Sequence, residues 1–112
     1  MKIYHNPRCR KSREGLAILE EARVEHEIID YLNNPPSEEE IRELLSKLNM
    51  DAIELVRQNE AVWKEKFKGR DLSSEEIIRA MADHPKLIER PIVVRGSQAV
   101  VGRPPEKIKS LL

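Results

Sequence analysis

The apolar residues of this chain switch between strand spacing and helix spacing, and the order of the switches restricts the fold more than any other feature. Lys2-Ile3-Tyr4 runs straight into the turn signal Asn6-Pro7 and reads as a first strand. Between Lys11 and Arg23, the residues Leu16, Leu19 and Ala22 recur at the spacing of one helix face. Val24 to Tyr31, with Ile28 and Ile29, reads as a second strand, and Asn33-Asn34-Pro35-Pro36 breaks the chain after it. Ser37 with Glu40 is a capping-box pattern, in which serine oxygen and glutamate carboxylate each satisfy a free backbone N–H. Ile41, Leu44, Leu45 and Leu48 continue it as an amphipathic helix, and Ile53, Leu55 and Val56 suggest a further short helix. Ser73 with Glu76 repeats the capping pattern, Ile77, Ala80 and Met81 give an apolar face, and His84-Pro85 stops that helix.

The closing third returns to strand spacing. Ile92-Val93-Val94 is β-branched, and Ala99-Val100-Val101 is its hairpin partner across Arg95-Gly96-Ser97-Gln98. Pro104-Pro105 opens a last helix, with Ile108, Leu111 and Leu112 expected on its buried side. The order is therefore βαβ, then helices, then ββα, with no internal repeat, low-complexity tract or linker. It predicts one α/β domain over residues 1–112, with a helical insertion at about 37–85 between two halves of a small sheet.

Composition narrows the function classes. The chain carries 20 basic and 20 acidic residues in 112, a net charge of zero, which argues against a general binder of nucleic acid or anionic membrane. No apolar run approaches the ~20 residues needed to span a bilayer, and Met1-Lys2-Ile3-Tyr4-His5 has no apolar signal region. The one cysteine has no internal disulfide partner, so a reducing cytoplasm is expected. One cysteine and three scattered histidines, His5, His26 and His84, show no metal-ligand spacing, so no metal is expected. No P-loop or dinucleotide fingerprint is present.

The chemistry concentrates at Cys9. It lies between the first strand and the first helix, where free N–H groups and the helix dipole favour an anion. Arg8, Arg10, Lys11 and Arg13 flank it. Such surroundings lower a thiol pKa from ~8.5 into the range ~3.5–7.5, and the thiolate is the nucleophile. The alternative is an inert core cysteine, which would require those cations to be buried beside it. His5 has two readings, a residue that favours the thiolate through a hydrogen bond or charge contact, and a partly exposed turn histidine. Ser12, three residues after Cys9, either donates a hydrogen bond to the sulfur or satisfies an N–H in the first turn. The pattern is C-x-x-S, so any disulfide step needs an external thiol. Arg90-Pro91 is a candidate cis peptide. Arg57 and Arg103 are each either surface charges or ligands. With Arg90, they would make an oxyanion site if they met at Cys9, because a guanidinium is a planar fork of donors.

The segment Ile3-Tyr4-His5-Asn6-Pro7-Arg8-Cys9, with Ser12-Arg13, resembles the active-site segment of the glutaredoxin-dependent, ArsC-type arsenate reductases. The resemblance continues through Tyr31-Leu32-Asn33-Asn34-Pro35-Pro36-Ser37, Leu55-Val56-Arg57-Gln58-Asn59, His84-Pro85, Glu89-Arg90-Pro91-Ile92-Val93-Val94 and Gly102-Arg103-Pro104, in the family's order from end to end. It implies a thioredoxin-like fold with a mixed four-stranded sheet and a helical insertion. It implies Cys9 as the thiolate that attacks arsenate or a related oxyanion, with His5 keeping it ionised. Arg57, Arg90 and Arg103 match the family's oxyanion-binding arginines, Pro91 matches its cis-proline, and Ser12 is a supporting residue. Glutathione would be the co-substrate and glutaredoxin the protein partner, with no bound cofactor. The chain departs from better-known members in being shorter at both ends and in the basic pair Arg10-Lys11.

Other readings stand beside this one. A glutathione-dependent thiol–disulfide reductase would use Cys9 without needing all three arginines. A protein-binding regulator of the same fold, such as one that binds RNA polymerase, is disfavoured because Ser12 removes the C-x-x-C redox switch. A phosphatase-like reductase is rejected, since it needs C-x₅-R and residue 15 is glycine.

Overall fold

The first strand, β1 (Lys2–Tyr4), is short and places Ile3 at 0% exposure. Helix α1 (Arg10–Glu21) follows and leads back to β2 (Glu27–Ile29), which pairs parallel to β1 in the register Ile3↔Ile28. A parallel pair requires a crossover, and α1 supplies it. Near the C-terminus, β3 (Ile92–Arg95) and β4 (Gln98–Val101) form an antiparallel hairpin. β3 also pairs antiparallel to β1, giving the sheet order β2-β1-β3-β4. This is the mixed four-stranded sheet of the βαβ…ββα reading. The computed structural model describes residues 1–112.

The chain forms two compact units, Met1–Asn34 with Arg90–Leu112, and Pro35–Glu89. The first unit holds the sheet. Its apolar core is Ile3, Leu19, Val93, Ile108 and Leu111, drawn from β1, α1, β3 and the last helical segment. Ile3 and Val93 sit on the interior strands, which is why both are fully buried, while Ile28 on the edge strand β2 is 52% exposed. In the hairpin, Arg95 and Gln98 pair with each other, so the turn is only Gly96-Ser97. Gly96 takes φ +59°, a conformation that a two-residue hairpin turn demands and glycine adopts freely.

The second unit is helical. α2 (Glu38–Leu48) and α4 (Ser74–Asp83) both begin with the capping boxes expected at Ser37 and Ser73. The two helices pack together, burying Ile41 and Leu44 of one and Ile77, Ile78 and Met81 of the other. α3 (Ala61–Lys66) lies between them in sequence and buries Trp63, whose ring stacks at a tilt on Phe67. His84 ends α4 as expected, and its ring meets Phe67 edge-on.

Several element expectations need correction. The second strand is Glu27–Ile29, shorter than the Val24–Tyr31 stretch, because Arg23 turns through φ +56° and Asp30 opens a turn. Helix α1 stops at Glu21, and Ala22 is its exposed C-cap instead of part of the buried face. The stretches Ala52–Leu55 and Pro105–Leu111 are 3₁₀ helices. The last one buries Ile108 and Leu111, while Leu112 stays 45% exposed. Helix α3 was not anticipated, since its apolar residues are too few to show a period.

Candidate active site

Residues 5–9 form a tight loop between β1 and α1. The His5 N–H donates to the Ile29 carbonyl at 3.0 Å, extending the β1–β2 pairing by one residue. The Asn6 side-chain oxygen accepts from the Arg8 N–H at 3.0 Å, and the Asn6 carbonyl accepts from the Cys9 N–H at 3.0 Å. These bonds fold the loop back so that Cys9 arrives as the N-cap of α1, in an extended conformation. Its carbonyl accepts the Arg13 N–H at 3.0 Å, the first bond of the helix. Cys9 makes no side-chain cap, which leaves its sulfur available at the positive end of the helix.

The buried polar and charged side chains of the protein are His5, Asn6, Ser12 and Arg90, and all belong to the surroundings of this loop. Burying polar groups costs free energy unless they are bonded, so their concentration in one place marks a built site. Ser12 is at 0% exposure and is the hub. Its hydroxyl oxygen accepts from the Asn6 N–H at 2.9 Å and bonds His5 Nδ1 at 2.7 Å. Its backbone N–H faces the Cys9 sulfur. Of the two roles open to Ser12 in the sequence, the hydrogen bond to the sulfur is made by its backbone N–H, while its hydroxyl holds the Asn6 N–H of the loop and not one in the first helical turn.

Two arginines from the other end of the chain complete the site. Arg103 Nη1 stands 3.9 Å from Cys9 Sγ and donates at 3.2 Å to the Arg90 carbonyl. The Arg90 side chain also hydrogen-bonds the sulfur. Both residues precede prolines, and both the Arg90–Pro91 and Arg103–Pro104 peptides are cis. Partial burial pushes the Cys9 thiol up, but the Ser12 N–H and the guanidinium groups of Arg90 and Arg103 outweigh it, and the net displacement is downward. The thiolate is thus stabilised by directed donors. Of the flanking cations, Arg10 pairs with Glu14 at 2.9 Å, and Arg13 donates to the Pro7 carbonyl at 2.9 Å. Arg8, Arg10, Lys11 and Arg13 are all exposed.

His5 is displaced below the ordinary histidine value. Burial is the main cause, opposed by Asp30 and Ser12 and assisted by Arg13. His5 joins the site through its hydrogen bond to the Ser12 hydroxyl. Arg57 belongs to the second unit. There it donates to the Glu89 carboxylate at 3.1 Å and the Glu60 carboxylate at 3.4 Å, at 23% side-chain exposure. No group of three or more His, Cys, Asp or Glu side chains is placed to hold a metal ion.

Sequence reasoning missed Asn6 as part of the site, where its side chain and carbonyl fold the loop, and gave no weight to the buried Gly15 on α1. Asn6 was legible only as a turn former. Gly15 interrupts a helical pattern, a signal that often marks close packing.

Known proteins resemble this chain along its whole length. The ArsC family model matches residues 4–111. The Escherichia coli (strain K12) protein YfgD, uncharacterized, is 49% identical across all of this chain and 96% of its own length. An arsenate reductase of Neisseria meningitidis is 41% identical, covering all of this chain and 97% of the relative. The solved arsenate reductase of Vibrio cholerae superposes with a TM-score of 0.95 at 46% identity, over all of this chain and 98% of that one. With a thioredoxin-like sheet, a cysteine at the head of its first helix and relatives matched from end to end, the chain belongs to the ArsC family.

Proposed function

We propose that this protein is an arsenate reductase that works through a Cys9 thiolate and borrows its reducing thiols from glutathione and glutaredoxin. The observation that carries the reading is the convergence of the Ser12 N–H, Arg90 and Arg103 on one sulfur. Those donors serve two purposes. In the resting site they stabilise the thiolate. When an oxyanion arrives, the same guanidinium forks can bind its oxygens through charge-assisted hydrogen bonds. Membership of the ArsC family supports arsenate as that oxyanion.

The chemistry follows from a single thiol. Cys9 sulfur attacks the arsenic of arsenate, a sulfur–arsenic bond forms, and one arsenate oxygen leaves as water after protonation. The glutathione thiolate displaces a second oxygen in the same way. A glutaredoxin thiolate then attacks the glutathione sulfur. The electron pair of that sulfur–arsenic bond passes to arsenic, which is reduced, and a glutaredoxin–glutathione disulfide forms. Water releases arsenite and returns Cys9 as the thiol. The chain has one cysteine and no resolving thiol of its own, so the last steps must be intermolecular. The exposed cations Arg8, Arg10, Lys11 and Arg13 suit an anionic thiol donor such as glutathione. This dependence on reducing partners fits a cytoplasmic setting, and no helix is long and apolar enough to cross a membrane.

A second reading has one specific observation in its favour. Arg57 is engaged with Glu60 and Glu89, and a thiol–disulfide reductase would not require it as an oxyanion ligand. The test is a coupled arsenate-reduction assay with glutathione and glutaredoxin on the purified protein, Cys9→Ser and Arg57→Ala. Arsenate reduction by the unaltered protein, abolished in Cys9→Ser and reduced about tenfold or more in Arg57→Ala, is the expected result. Full turnover by Cys9→Ser overturns the mechanism. Absence of arsenate turnover, with disulfide reduction intact, selects the second reading.

A further inference from the structure

The groups that meet at the Cys9 sulfur come from segments far apart in sequence, yet each segment has a residue at one common point behind the site. Cys9 heads α1, and Gly15 lies buried on that helix. Arg90 precedes Pro91, and Arg103 follows Gly102. A Cβ built on Gly15 would lie 2.8 Å from both Pro91 Cγ and Ile108 Cδ1. One built on Gly102 would lie 2.9 Å from each of the same two atoms. Carbon atoms in contact ordinarily stand about 3.5–4.0 Å apart, so a side chain at either position forces the Ile108 tip and the Pro91 ring, or the segments that carry them, to give way. The Gly102 N–H also donates to the Pro91 carbonyl at 2.8 Å, tying the two arginine-bearing segments together. Neither glycine is there for backbone freedom, because the positive-φ glycines are Gly69 and Gly96.

We infer that Gly15 and Gly102 are positioning residues, which, by lacking side chains, let the Pro91 ring and the Ile108 tip close between α1 and the Arg103 segment and so set the spacing between the Cys9 sulfur and the guanidinium groups of Arg90 and Arg103. The two glycines clamp the same pair of atoms from different elements, so enlarging either one pushes on the same seat. The consequence is directional. A methyl group at either position moves the arginine segments away from the head of α1, and the sulfur loses its donors.

Gly15→Ala separates this role from a structural one. Within a helix this change ordinarily stabilises by roughly the glycine–alanine difference in helix propensity. The positioning role instead predicts a thiol that titrates higher than in the unaltered protein. The experiment measures the rate at which uncharged iodoacetamide alkylates Cys9 across pH in the unaltered protein, Gly15→Ala, Gly102→Ala, Ile108→Val and Gly102→Ala/Ile108→Val, with circular dichroism and thermal unfolding as the check on folding. The expected result is a midpoint moved upward in both alanine variants, with alkylation near neutrality slowed by up to about tenfold as the thiolate share falls. Ile108→Val alone moves the midpoint less than either alanine variant does, and adding it to Gly102→Ala recovers part of the loss by removing the clashing Cδ1 atom. Should Gly102→Ala not fold, Gly15→Ala and the double variant carry the test. Folded alanine variants that titrate as the unaltered protein does, or a double variant with no recovery, overturn the inference. The inference rests on the thiolate of the proposed function but not on its substrate. Alkylation uses no arsenate, so failure of arsenate turnover and failure of the glycine seat are read separately.

Discussion

At the scale of single residues, the site depends on polar groups that are buried. His5 shows the cost. Its ring is buried, and burial disfavours the charged form, so the folded chain takes up a proton on His5 less readily than the unfolded chain does. Between the ordinary histidine value and the lower folded value, the unfolded state binds more protons, and stability therefore rises with pH through that window. Acidification reverses this, and it also asks Ser12 to rebond a cationic ring. Urea unfolding of the unaltered protein and His5→Asn at stepped pH measures the effect. The stability advantage of the unaltered protein over the variant shrinks as pH falls through that window; a pH-independent difference would refute the role given to His5. Part of this was readable in the sequence. Cys9 among Arg8, Arg10, Lys11 and Arg13 already pointed to a reactive thiol. The flanking charges proved to be the lesser part of the reason, since the donors on the sulfur are the Ser12 amide, Arg90 and Arg103. No local pattern could place the two arginines on the sulfur, because Arg103 and Cys9 are 94 positions apart.

At the scale of elements, the signals with a local mechanism were the ones that translated. Ser37 with Glu40 and Ser73 with Glu76 each form a full capping box, since both partners lie within one turn of the same chain. Each serine accepts the N–H of its glutamate, at 3.1 Å for Ser37 and 3.2 Å for Ser73. Ser37→Ala and Ser73→Ala are each expected to destabilise by ~1 kcal/mol, measured by chemical unfolding, whereas Ser→Thr at the same positions retains most of the stability. A loss below the error of the measurement in both alanine variants would show that the boxes contribute nothing. Elements whose limits are set by distant partners were less legible. β2 keeps only the residues that find a ladder on β1, and its length therefore depends on how long β1 is. The Pro105–Leu111 segment winds as a 3₁₀ helix and carries Ile108 to a point beside two glycines that lie far from it in the chain or on another element. Helix α3 has only six residues, too short for a period to show.

At the scale of the whole molecule, the sheet unit is built from the two ends of the chain. The order β2-β1-β3-β4 sets the N-terminal βαβ half beside the C-terminal hairpin, and this pairing delivers Arg90 and Arg103 to the head of α1. A neutral chain with equal numbers of acids and bases thereby gathers cations at one sulfur. The central claim is that this convergence, and not the cysteine's own chemistry, makes the thiolate. The most direct measurement is the ultraviolet titration of the Cys9 thiolate, with Cys9→Ser as the blank and Arg103→Ala beside the unaltered protein. The account predicts a midpoint below the ~8.5 of a free cysteine, displaced upward when Arg103 is removed. A midpoint at or above that of a free cysteine, unmoved in Arg103→Ala, would contradict it.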